Sequence, residues 1–134
     1  MNQFSKEKQN NLEERTAIFA ENVIDFLRSL KVSPLNKRII DQLVGSSGSI
    51  GANYCEAVEA ESRKDFIHKI GIAKKEIKET KHWLRLLAKA EPESKEKLRP
   101  LYSEAMQLLL IFSKIFTTSR ARESALKDNK LKTH

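Results

Sequence analysis

The chain has 134 residues, of which 40% are hydrophobic and 32% charged, with four glycines and three prolines. That length fits one domain with a sizeable core, and so few chain breakers favour a handful of long helices over a strand-and-turn fold. Lys and Arg outnumber Asp and Glu 25 to 18, giving a net charge of +7, an excess compatible with nucleic acid, an acidic protein or anionic lipid as partner.

The lone Cys55 excludes an intramolecular disulfide. The polar stretch Met1 to Glu14 lacks the apolar centre of a signal peptide. The longest uninterrupted apolar run, Leu108 to Phe112, is far short of the ~20 residues a membrane helix needs. The sequence therefore reads as cytoplasmic and membrane-free.

Apolar periodicity predicts a first helix over about Leu12–Leu30, with Phe19, Val23, Phe26 and Leu30 on its seam. Pro34 forces Ser33 out of helical geometry and ends the run. A second helix follows from Leu35 or Asn36 to Ala60, with Ile39, Leu43, Ser46 or Ser47, Ile50, Tyr54 and Ala57 in phase. Gly45, Gly48 and Gly51 each weaken it by about 0.8–1 kcal/mol relative to Ala. The unbroken phase keeps the helix whole, and the small residues are expected to let a neighbouring helix approach closely.

Ser62 and Asp65 form a Ser-x-x-Asp cap ahead of a third helix. Its seam of Phe66, Ile70, Ala73, Ile77, Thr80, Leu84 and Leu87 runs to Glu91-Pro92. The fourth helix begins between Ser94 and Pro100, with Pro100 either its first residue or a point within it. Leu98, Leu101, Ala105, Leu108, Phe112, Ile115 and Ser119 form its seam. The expected architecture is all-α, an antiparallel up-down-up-down four-helix bundle over residues 12–120, with flexible tails over 1–11 and 121–134.

No constellation for catalysis, cofactor or metal stands out. Glu79 and His82 have the Glu-x-x-His spacing of di-iron bundles, and Asp65 and His68 a looser version. Both pairs lie on one helix about 21 Å apart, and Glu79 is off the core seam. Cys55 reads as a packed thiol. The glycines around Gly48 lack the Gly-Lys-Ser/Thr and preceding strand of a phosphate loop. The chain is thus expected to be neither enzyme nor metalloprotein.

Two further faces of the third helix are informative. Lys74, Lys78, Lys81, Arg85 and Lys89 form a stripe flanked by Lys75, which is either an ordinary solvated face or a phosphate-contacting surface. Ile72, Trp83 and Leu86 are apolar but off the core seam, as are Tyr102, Leu109 and Phe116 at seven-residue spacing on the fourth helix. Surplus apolar surface of this kind suggests contact with another subunit, or else a wide intramolecular core.

Gln42-Leu43, then Ser49-Ile50-x-x-Asn53-x-x-Glu56, Lys64-Asp65-Phe66 and Trp83-Leu84-Arg85-Leu86 resemble a family of bacterial four-helix-bundle proteins. It includes products encoded by intervening sequences of 23S ribosomal RNA genes. One departure is Asn53-Tyr54-Cys55-Glu56-Ala57, where the family commonly reads Asn-Ile-Ala-Glu-Gly. The accessory variability protein of diversity-generating retroelements is a more distant likeness. The resemblance implies a basic, non-enzymatic bundle assembled as a ring-shaped homopentamer, with RNA as leading partner or, alternatively, an acidic protein such as a reverse transcriptase. Ser49, Asn53 and Glu56 share one helix face, suited to satisfying buried polar groups between helices or subunits.

Overall fold

The computed structural model describes residues 6–132, and side chains within 11–131. It contains α1 (Lys6–Arg28), α2 (Lys37–Val58), α3 (Arg63–Ala90), a 3-10 turn (Pro92–Ser94) and α4 (Lys95–Lys132). Chain neighbours pack as antiparallel pairs, α1 on α2, α2 on α3 and α3 on α4, and a thinner α1–α4 contact closes the bundle. The predicted up-down-up-down bundle is the fold observed.

Most buried positions follow the predicted seams, but Leu27 rather than Phe26 is buried on α1, and Phe26, Leu30, Ile39 and Ile115 are half-buried. Phe19 and Val23 from α1, Ile50 and Tyr54 from α2, Ile70 and Ile77 from α3, and Leu108 and Phe112 from α4 are at most 1% exposed. Tyr54 and Phe112 meet edge to face with centroids 5.7 Å apart, a favoured geometry for two π systems. Leu12, Thr16 and Leu27 complete the α1 seam.

Polar contacts set the helix ends. The Ser62 hydroxyl accepts the Asp65 amide at 3.0 Å and starts α3, as the capping pair predicted. Asn36 is buried at the α1–α2 turn. Its Oδ1 accepts the Ser33 amide at 2.8 Å, and its Nδ2 donates to the Lys31 carbonyl and, at 3.2 Å, to Glu91. One amide therefore joins the α1–α2 turn to the α3–α4 turn.

Four expectations are settled or altered. Pro100 lies inside α4, and the helix begins at Lys95. One missing amide near the N-terminus, with the proline exposed to solvent, is tolerated while the seam on the opposite face stays in register.

α1 starts at Lys6 and α4 runs to Lys132, so both helices extend into the segments expected as tails. Residues 121–132 contain no helix breaker and many good helix formers. Positions 1–5 and 133–134 of the expected tails lie outside the described residues.

α2 is continuous through its glycines, but close approach explains one of the three. A Cβ at Gly51 would come within 3.0 Å of the Thr16 hydroxyl, whereas one at Gly45 or Gly48 would meet nothing within 4 Å.

Cys55 is exposed rather than packed, because it follows the buried Tyr54 by one ~100° step. Its Sγ lies 3.5 Å from a Glu13 carboxylate oxygen. Partial burial, that hydrogen bond and the Glu13 charge all push the thiol above its ordinary pKa.

Candidate nucleic-acid interface

α3 places Lys74, Lys75, Lys78, Lys81, Arg85 and Lys89 on the side facing solvent and α4. From Lys74 to Lys89 the row spans ~22 Å at 1.5 Å per residue. None of the six has a carboxylate within ion-pair distance among the described residues. Glu76 and Glu79 lie on the other flank. Burial first and the Glu79 charge second raise the Glu76 carboxyl, with Lys75 opposing.

The stripe has two kinds of cation. Lys75, Lys78, Arg85 and Lys89 are exposed, while Lys74 and Lys81 are half-buried. Lys74 Nζ sits 5.1 Å from the Phe116 ring centroid, and Lys81 Nζ 5.6 Å from that of Tyr102. Arg120 stacks on the same Phe116 ring at 5.4 Å. Ring quadrupoles attract the cations and fix the two lysines across the α3–α4 seam.

The cationic surface is wider than the α3 row. At the end with the α3–α4 turn, a groove of about 800 Å3 is lined by Arg85, Lys89, Lys95 and Arg99 over Leu86, Leu98 and Tyr102. At the other end, one of about 460 Å3 carries Lys64, His68, Lys75 and Arg120 around Ile72 and Phe116. Periodicity within one helix could not reveal Lys95, Arg99 or Arg120, because α4 brings them to this face only after folding. Arg99 is shared with Glu96, its Nη2 being 3.0 Å from Oε1, an exposed pair that exchanges readily with solvent.

The six apolar residues off the seams divide. Trp83, Tyr102, Leu109 and Phe116 are half-buried and pack against the core. Ile72 and Leu86 line the two grooves beside Phe116 and Tyr102. Apolar surface that the seams did not single out is exposed at Ile18 and Ile24 on α1, and at Met106 and Leu110 on α4.

Within the Ser49–Glu56 motif, Ile50 is fully buried. The Ser49 hydroxyl donates to the Gly45 carbonyl and the Asn53 amide to the Ser49 carbonyl, both at 2.8 Å, so these polar contacts stay inside α2. Glu56 reaches α3, 3.5 Å from Lys69. A buried polar link joins α2 and α3 at Ser46–Thr80. Among the described residues, no cluster of His, Cys, Asp and Glu is placed to hold a metal, and Glu79 and His82 are both exposed. No described helix is long and apolar enough to cross a membrane.

The geometry can be set beside known proteins. A crystal structure of a protein of unknown function from the S23 ribosomal protein family of Bacteroides thetaiotaomicron superposes with a TM-score of 0.71 at 29% identity, covering 81% of this chain and 97% of that one. No functionally curated protein matches the chain. The profile of the 23S rRNA-intervening sequence proteins matches residues 8–114, and the chain belongs to that family.

Proposed function

We propose that this protein is a non-enzymatic, homo-oligomeric bundle that binds nucleic acid, RNA in preference to DNA, through the cationic face of α3 and α4. The observation carrying the reading is the cluster of α3 cations led by Lys74, Lys75, Lys78 and Lys81, without ion-pair partners among the described residues and widened by Arg120 of α4. Clustering of one charge sign along one helix face is the footprint a phosphate backbone needs. RNA is preferred because the family is named for intervening sequences of 23S rRNA. A ring of copies, five by the family resemblance, would turn weak contacts into avid binding through high effective concentration.

The test is a salt titration of binding to a structured RNA. Each phosphate neutralised contributes about −0.9 to the slope of log K against log salt on a duplex. Replacing Lys74, Lys75, Lys78 and Lys81 by Gln should weaken binding and flatten that slope with helix content retained. If affinity at ~0.15 M salt is negligible, or indifferent to the four charges, the reading gives way to an adaptor whose basic face meets an acidic protein.

A further inference from the structure

The exposed side of α1 combines acidic and apolar side chains. Glu14, Ile18, Glu21 and Asp25 are all solvent-exposed, and their spacing of four, three and four places them in one stripe. Ile24 borders it, and Ile18 and Ile24 are each 44% exposed. None of the three carboxylates makes an ion pair among the described residues. This acidic, isoleucine-bearing row stands on a chain of net charge +7.

The groove at the α3–α4 turn has the opposite character. Arg85, Lys89, Lys95 and Arg99 stand along its rim, and Leu86 and Leu98 contribute to an aliphatic floor. Its one lining ring, Tyr102, already carries Lys81. Nucleic-acid bases stack on open aromatic faces, so this floor suits branched aliphatic side chains better. Lys95 to Tyr102 covers ~10 Å of helix, about two turns, which matches apolar anchors presented at helical spacing.

We propose that the α3–α4 groove receives the acidic, isoleucine-bearing face of α1 from a second copy of the chain. Glu14, Glu21 and Asp25 face the basic rim, and Ile18 and Ile24 cover the floor beside Leu86. The two patches are different surfaces of one molecule, so the contact is head-to-tail, and repetition generates a ring where the rotation closes. The inference rests on the homo-oligomer reading and assigns its interface. It transfers Arg85 and Lys89 from phosphate contact to subunit contact, leaving Lys74, Lys75, Lys78 and Lys81 for nucleic acid.

The test is a charge swap on the full-length protein, read by light scattering and sedimentation, with circular dichroism confirming the fold. The wild type should exceed the 15.4 kDa of one chain. Glu21→Lys with Asp25→Lys, or Lys95→Glu with Arg99→Glu, should each weaken association by roughly a hundredfold or more, because like charges then face each other. Combining all four substitutions should restore the mass. Ile18→Ser and Leu86→Ser, which keep the charges, should weaken association in their own right. A monomeric wild type overturns both the oligomer and this interface. An oligomeric wild type whose mass ignores both reversals and both serine variants overturns the interface alone.

Discussion

The hydroxyls of Thr80 on α3 and Ser46 on α2 meet 2.9 Å apart inside the bundle, at 0% and 5% exposure. Thr80 Oγ1 also lies 2.8 Å from the Glu76 carbonyl, and Ser46 Oγ lies 3.5 Å from that of Leu43. Thr80→Val keeps the shape and leaves the Ser46 hydroxyl only its long contact to the Leu43 carbonyl, so it should cost about 1–2 kcal/mol. Adding Ser46→Ala removes that hydroxyl and should recover part of that loss, a coupling measurable by urea denaturation of the four proteins in the cycle. Strict additivity would mean the pair contributes nothing specific.

Gly45 and Gly48 give a second prediction. A Cβ at either meets nothing within 4 Å, so Ala should stabilise α2 by about 0.8–1 kcal/mol per site through helix propensity. Gly51→Ala should gain less or lose, because its Cβ would press on Thr16 at 3.0 Å. Neither Gly45→Ala nor Gly48→Ala should alter the oligomer mass if the α3–α4 groove is the interface. A drop in mass would place a neighbouring subunit on α2 instead.

These two cases show what the residues disclose before folding and what they conceal. The seam of α3 was readable because seven positions repeat at three and four residues, and each of them is buried. The α2 seam outweighed the helix-weakening glycines for the same reason. Hidden from the sequence were relationships between segments. Asn36 reaches Glu91 across 55 residues, and the basic groove needs Arg85 and Lys89 from α3 with Lys95 and Arg99 from α4. Cys55 reads as packed in sequence yet is exposed, because hydrophobicity alone does not separate a seam position from its neighbour one step round the helix.

Alkaline pH supplies a third prediction. Tyr54 is 1% exposed, and its phenol is pushed up to about 12, first by burial and then by the charges of Glu13 and Cys55. A folded-state pKa above the unfolded value near 10 means the folded protein holds this proton more tightly. That stabilisation is fully present below about pH 10 and is lost as pH rises towards about 12, amounting to about 2–3 kcal/mol. Lysines also titrate in this window, so the informative quantity is the difference from Tyr54→Phe. The variant's unfolding free energy should fall less steeply across the window. Parallel slopes would show that Tyr54 ionises as freely in the folded state as in the unfolded chain.

The two kinds of cation in the α3 stripe should separate in experiment. Lys75 and Lys78 are exposed and without ion pairs among the described residues, so Gln at both should leave the unfolding free energy within about 0.5 kcal/mol of wild type. If each contacts a phosphate, the same change should flatten the RNA salt slope by about 1.8. Lys74 and Lys81 lie over Phe116 and Tyr102. Gln at those positions should cost about 0.5–1 kcal/mol of stability for each cation–π contact. Phe116→Leu removes the ring under both Lys74 and Arg120 and some core packing while keeping both charges, so it should cost at least as much stability as Lys74→Gln and change the salt slope little. Tm and RNA affinity measured on the same preparations decide the matter. Equal stability for both lysine pairs would remove the rings from the account, and an unchanged salt slope in the Lys75–Lys78 variant would remove those two lysines from the nucleic-acid surface.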